Sequence, residues 1–177
     1  EVFSPQAFRG KRVDVIGCGA TGSKVCLELA KLGIDDIHAW DFDVVESHNI
    51  ANQAFGVSQI GQPKVDATAS LVSQFTNHEI TTHNEAVDGS QELGDVVFVL
   101  TDTMASRKQI FYDALRYRFG TDLMIETRMG ADNMRIYAVR PNKRSHVERY
   151  EQTLYDDDET QEETACGAST SVGPTRS

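Results

Sequence analysis

Cysteine is scarce: three in 177 residues, an odd number with no Cys-x-x-Cys pair. That excludes a disulfide framework and a four-cysteine zinc site. No run of about eighteen apolar residues is present, so no segment qualifies as a membrane span. Basic residues are outnumbered, 17 Lys and Arg against 27 Asp and Glu, leaving a formal net charge of −10. Phosphate contacts need a basic surface, so this balance argues against nucleic acid as the main partner. It leaves room for a local basic pocket, because net charge mainly governs solubility. There is no internal repeat, and Glu1-Val2-Phe3-Ser4-Pro5 lacks the basic and apolar pattern of a signal peptide. Cytoplasmic is the default expectation. What remains is ordinary for one globular domain with its own core: 40% hydrophobic and 25% charged residues.

The chain is organised around Val13-Asp14-Val15-Ile16-Gly17-Cys18-Gly19-Ala20-Thr21-Gly22-Ser23-Lys24. A short apolar run meets a turn with glycines at 17, 19 and 22, and a helical pattern opens directly behind it. This predicts strand, tight turn, helix. Gly17 makes the turn, Gly19 lets a phosphate approach the backbone, and Gly22 lets the helix pack closely. The helix N-terminus then offers free N–H groups and a positive dipole end to an anion. The alternative is a glycine-rich turn that serves packing alone. Cys18 in the turn, and Cys26 one position off the first helix's apolar stripe, read as small apolar fillers.

Helical spacing of Val25, Leu29 and Leu32 predicts a helix over 22–32, stopped by Gly33. A strand follows at Asp36–Trp40 and ends in Asp41-Phe42-Asp43. An acid there, about twenty residues past the glycines, suits a ribose hydroxyl; Asp41 is the candidate, with a solvated loop carboxylate as the alternative. Pro63 suits the first turn of a second helix, which Val65, Ala69, Val72 and Phe75 continue with one apolar face. Lys64 thus sits at a helix start, a place that disfavours a cation unless an anion lies beside it. Strands are predicted at Glu79–His83 and at Asp95–Leu100, the latter apolar enough to be a buried parallel strand. It runs into Thr101-Asp102-Thr103, on the rim where doubly wound sheets bind ligands. A helix over 105–118 and strands at Leu123–Glu126 and Met134–Val139 complete the pattern. The expected fold is α/β: a Rossmann-like doubly wound, mainly parallel sheet with helices on both faces and a mixed C-terminal portion. One domain accounts for residues 1–177, with a solvated, mobile acidic loop at about 151–165.

With those residues in place, the chain resembles the ThiF/MoeB-type adenylyltransferases, prokaryotic relatives of ubiquitin-activating enzymes. The resemblance rests on Gly17-x-Gly19-x-x-Gly22, Asp41-Phe42-Asp43-Val44-Val45-Glu46, His48-Asn49-Ile50-Ala51-Asn52-Gln53, Gly61-Gln62-Pro63-Lys64, and Thr101-Asp102 with Arg107 behind it. It implies ATP and Mg²⁺ as cofactors, and adenylation of the C-terminal glycine of a ubiquitin-like β-grasp protein by a homodimer. It implies that the glycine loop holds phosphates, Asp41 the ribose and Asp102 the Mg²⁺, with Asp43 among the cofactor-binding residues. Lys64 neutralises the phosphates during attack, and Asn49 and Gln53 line the ATP pocket. Cys166 resembles in place a cysteine that some members use for a thioester or disulfide link to the activated protein. A thiolate is a good acyl acceptor, although the acidic neighbourhood raises a thiol's pKa; an ordinary small residue is the alternative.

Three departures stand out. Asn52 replaces the arginine usual before that glutamine, so another arginine (Arg9, Arg107 or Arg128, from this chain or from a second subunit) substitutes, or turnover is poor. The paired Cys-x-x-Cys zinc motifs of many members are absent. The chain stops at Gly173-Pro174-Thr175-Arg176-Ser177 where members continue into further helix, as a truncated chain or a short member would. Two other functions compete. A nicotinamide-dependent oxidoreductase shares the glycine turn and the acid, but has no use for Lys64 or Asp102. A non-catalytic member that binds a ubiquitin-like partner fits Asn52.

Overall fold

The computed structural model describes residues 4–130 and 133–157. Six strands form one sheet in the order β3-β2-β1-β4-β5-β6. They are β1 (Val13–Ile16), β2 (Ile37–Trp40), β3 (Thr81–His83), β4 (Val96–Val99), β5 (Leu123–Met129) and β6 (Met134–Val139). All pairings are parallel except β5 with β6, which is antiparallel. The fold is the expected Rossmann-like doubly wound α/β sheet with a mixed C-terminal edge. The strand order reverses between β1 and β4, which opens a crevice beyond their carboxyl ends.

Helices cover both faces. On one, α1 (Gly22–Lys31) and α2 (Lys64–Phe75) pack through Cys26, Ala30, Val65 and Val72 onto Val13, Val15, Ile37 and Ala39. The buried side of α1 is Ser23, Cys26 and Ala30, while Leu32 is 46% exposed. Val25, Leu27 and Leu29 pack half-buried at the margin of the same cluster. Cys18 and Cys26 are both fully buried, as fillers should be. The contact with Cys26 and burial push the Cys18 thiol well up, which keeps it protonated. Phe75, expected inward, ends α2 and is 61% exposed, with the Lys31 ammonium 5.9 Å from its ring.

On the other face, α3 (Met104–Gln109) continues as one π-helical stretch, Ile110–Leu115, that turns Ile110, Phe111, Ala114 and Leu115 into the core. A fourth helix, α4 (Arg144–Glu151), packs beside it through Val147 and Tyr150. It lies in a stretch whose charges hid its short apolar face. In the described part of the expected acidic loop, Asp156 and Asp157 are exposed, and both also contact α3. Asp157 accepts hydrogen bonds from the Met104 and Ala105 N–H groups at 2.7 and 3.0 Å, capping α3. Asp156 pairs with Lys108.

Beyond β4 the coverage is one-sided. Antiparallel partners point the same way, so Ile125/Ala138, Thr127/Ile136 and Met129/Met134 form three rows on the face away from α3 and α4. Among the described residues no helix covers the β6 side of these rows, and Met134 and Ile136 are 56% and 59% exposed. No helix among the described residues is long and apolar enough to cross a membrane.

Candidate functional site

The switch-point crevice is a cavity of about 450 Å³, within the range of small-molecule sites. The glycine turn forms its floor. Gly17 has φ +95°, and a β-carbon there would stand 2.8 Å from the Leu100 carbonyl oxygen. A β-carbon on Gly22 would stand 1.7 Å from the Gly17 carbonyl oxygen, so the third glycine makes room for the turn itself rather than for the strand. Gly19 differs. The nearest atom to a β-carbon there is Gln53 Nε2 at 3.9 Å, so its backbone faces open space inside the cavity.

Asp41 leaves β2 and folds back under the turn. One carboxylate oxygen accepts from the Cys18 N–H at 2.7 Å and the other from the Asp43 N–H at 2.9 Å. It therefore braces the glycine turn as well as lining the cavity. Burial pushes its pKa up, against the two backbone N–H groups and Lys64, which pull it down. Asp43 also lines the cavity and holds the Lys64 ammonium at 2.8 Å. Lys64 begins α2 and is 9% exposed. Asp102 stands exposed on the opposite rim, past β4.

Asn49 is a correction. It does not line the cavity; it is buried, and its Oδ1 accepts from the Glu46 N–H at 2.9 Å to close a short 3-10 turn, Ser47–Ala51. Its neighbour Gln53 does line the cavity, and its Oε1 is buried without a partner. The hydroxyl of Thr101, which lines the same cavity, is also buried and unpaired. Cys166 lies outside the described residues.

Of the three arginines offered in place of the missing one, only Arg107 reaches the cavity. Its Nη1 and Nη2 donate to the carbonyls of Asp102 and Thr127 at 3.4 and 3.3 Å. Arg9 is exposed and is not among the cavity-lining residues. Arg128 is 1% exposed, with its donors spent on Glu126 and Thr153. Sequence reading gives Glu126 no role and considers Arg128 only as a substitute phosphate clamp, not as the partner of Glu126. The available signal was two opposite charges on the face of β5 that Met124 buries.

A divalent cation finds limited protein ligation here. Among the described residues no group of three or more His, Cys, Asp or Glu side chains could hold one. One carboxylate from Asp102, with phosphate oxygens and water completing the shell, suits Mg²⁺.

The sheet order and its switch-point cavity define a Rossmann-like α/β domain of the nucleotide-site type. A family model described as the ThiF family matches residues 5–175, and the chain belongs to that family. The molybdopterin-synthase adenylyltransferase of Escherichia coli (strain K12) is 29% identical over 112 residues, covering 59% of this chain and 45% of that protein. Ubiquitin-like modifier-activating enzyme 5 of Bombyx mori is 32% identical over 100 residues, covering 52% and 24%. The crystal structure of E. coli MccB with AMPCPP and MccA matches at a TM-score of 0.65 and 17% identity, covering 84% of this chain and 48% of that one. At that identity the likeness is one of fold. The chain spans less than half the length of each of these three proteins.

Proposed function

We propose that this chain binds ATP with Mg²⁺ and adenylates the C-terminal glycine of a ubiquitin-like β-grasp protein. The observation that carries this reading is the convergence in one cavity of a bare glycine turn, Asp41, Lys64, Asp102 and Arg107. Alongside them, the buried Gln53 Oε1 and Thr101 hydroxyl lack partners that a bound polar ligand would supply. MccB, of the same fold, is solved with the ATP analogue AMPCPP.

In the proposed step a carboxylate oxygen of the partner bonds to the α-phosphorus, and the bond to the α–β bridging oxygen breaks. Pyrophosphate leaves with that electron pair. One anion approaches another, so the site must supply positive charge. Lys64 and Arg107 supply it from two sides, and the turn's N–H groups from below. Asp41, already fixed by two backbone N–H groups, keeps lone pairs for ribose hydroxyls. Asp102 would hold the Mg²⁺, which adds charge at the phosphates when bound. Holding both reactants in line contributes the rest.

A polypeptide substrate is supported by the bare β5–β6 face, since Thr127 and Met129 on it also line the cavity. Ile136→Asp is expected to weaken partner-dependent exchange about tenfold or more while ATP affinity holds, because a charge on a docking face excludes an apolar partner. Equal exchange in that variant, measured with the cognate partner, would move the partner elsewhere.

ATP–pyrophosphate exchange tests the activity, and titration with NAD separates it from the oxidoreductase reading. Asp102→Asn keeps shape and removes the charge that a hard cation prefers. Exchange is expected to fall about a hundredfold, with unchanged thermal stability because the side chain is exposed. Near-normal exchange in that variant removes Asp102 from the mechanism. Acyl transfer to Cys166 belongs to the same proposal: the thiolate bonds to the adenylate's carbonyl carbon, the bond to the phosphate oxygen breaks, and AMP leaves. Mass spectrometry for a reductant-sensitive adduct checks it.

A further inference from the structure

Behind the cavity wall lies a cluster of charge that adenylation chemistry alone does not require. Glu126 is fully buried, Arg128 is 1% exposed and Arg107 is 7% exposed. Arg128 grips both carboxylate oxygens of Glu126, Nε to Oε1 at 2.6 Å and Nη2 to Oε2 at 3.1 Å. The Tyr150 hydroxyl donates to Oε2 as well. Arg128 is in turn held by the Thr153 carbonyl at 2.6 Å and hydroxyl at 3.1 Å, with the Tyr137 ring 4.3 Å from its guanidinium. The carboxylate thus has one place to be. From there Oε1 sits 3.2 Å from Arg107 Nε, close enough for an ion pair though misaligned for a hydrogen bond.

Two guanidinium groups share one carboxylate, so this cluster carries one unbalanced positive charge. Buried charges are normally matched. The surplus sits on Arg107, the member that faces the cavity, which is where an anionic ligand would balance it. We infer that Glu126 is a positioning residue for Arg107: fixed by Arg128 and Tyr150, it holds the Arg107 guanidinium against the strand ends, aimed at the phosphates of a bound nucleotide. This rests on the reading of the cavity as an ATP site. It also explains how Arg107 can stand in where Asn52 replaces an arginine.

The test is ATP affinity by calorimetry, with no partner protein needed. Arg107→Ala is expected to weaken ATP binding about tenfold or more, as loss of a charged hydrogen bond does. Glu126→Gln, which keeps the shape, is expected to weaken it about fivefold. In the Arg107→Ala background Glu126→Gln should cost nothing further, because residues acting through one contact do not add. A purely structural Glu126 predicts the same loss in both backgrounds, and that result overturns the inference. So does an unchanged affinity in Glu126→Gln. Should Glu126→Gln fail to fold, Tyr150→Phe removes only the hydroxyl on Oε2; a loss of about twofold, absent beside Arg107→Ala, is expected. A loss that persists in that background, or none at all, overturns the inference. Wild type that binds no ATP sinks the nucleotide reading instead, and the positioning role falls with it.

Discussion

Gly22→Ala is expected to unfold or badly loosen this domain. The added β-carbon would lie 1.7 Å from the Gly17 carbonyl oxygen and 2.8 Å from its carbonyl carbon. Both are backbone atoms of a turn that is itself pinned. Gly17 donates its N–H to the Trp40 carbonyl at 2.8 Å, and Leu100 donates its own to the Ile16 carbonyl at 2.8 Å. No side chain can rotate away, so relief requires α1 to slide off the sheet. Overpacking commonly costs about 1–3 kcal/mol, and with backbone as the obstacle the upper end or beyond is expected. Urea denaturation measures it. The control is Gly19→Ala, whose β-carbon meets nothing nearer than Gln53 Nε2 at 3.9 Å. That variant should keep its stability and lose nucleotide affinity. Equal midpoints for Gly22→Ala and wild type would mean the turn is softer than its geometry says.

Lys64→Ala is expected to abolish measurable adenylation while the fold survives. The ammonium is the cation nearest the glycine turn's acidic neighbour Asp43, at 2.8 Å. Its place at the start of α2 puts it where the dipole disfavours a cation, a placement that only nearby anions justify. Asp43 alone is a half-exposed partner, with 51% of its side chain accessible. Losing the ammonium leaves Asp43 in solvent and Asp41 still held by two backbone N–H groups, so the stability cost is expected to stay near about 1 kcal/mol. Loss of one preorganised positive contact in the transition state typically costs about 10²–10³ in kcat. ATP–pyrophosphate exchange measures the rate, and thermal denaturation confirms the fold. A rate within a few-fold of wild type would restrict Lys64 to its ion pair with Asp43.

Much of the fold and of the cavity lining is legible in the sequence, for a local reason. The glycine turn, the acid after β2, Lys64 behind Pro63 and Asp102 after β4 are each fixed by neighbours along the chain. Turn geometry, helix starts and strand ends are local, so spacing alone reports them. Their convergence follows from the doubly wound topology, which puts the ends of all parallel strands on one rim.

Only the tertiary structure settled what depends on packing between distant segments. Asn49 and Gln53 sit four residues apart, yet one closes a turn and the other faces the cavity. Arg107 and Arg128 are equally basic in the sequence. The fold gives one to the cavity and buries the other against Glu126, Tyr137 and Thr153. Period-2 alternation along β5 shows that Glu126 and Arg128 share a face, but not which face is covered. That depended on α4, a charged helix with two buried residues, Val147 and Tyr150. The same one-sided cover leaves Met134 and Ile136 exposed beside the cavity. A residue's charge and period are properties of the chain; which neighbour desolvates it is decided when the layers meet.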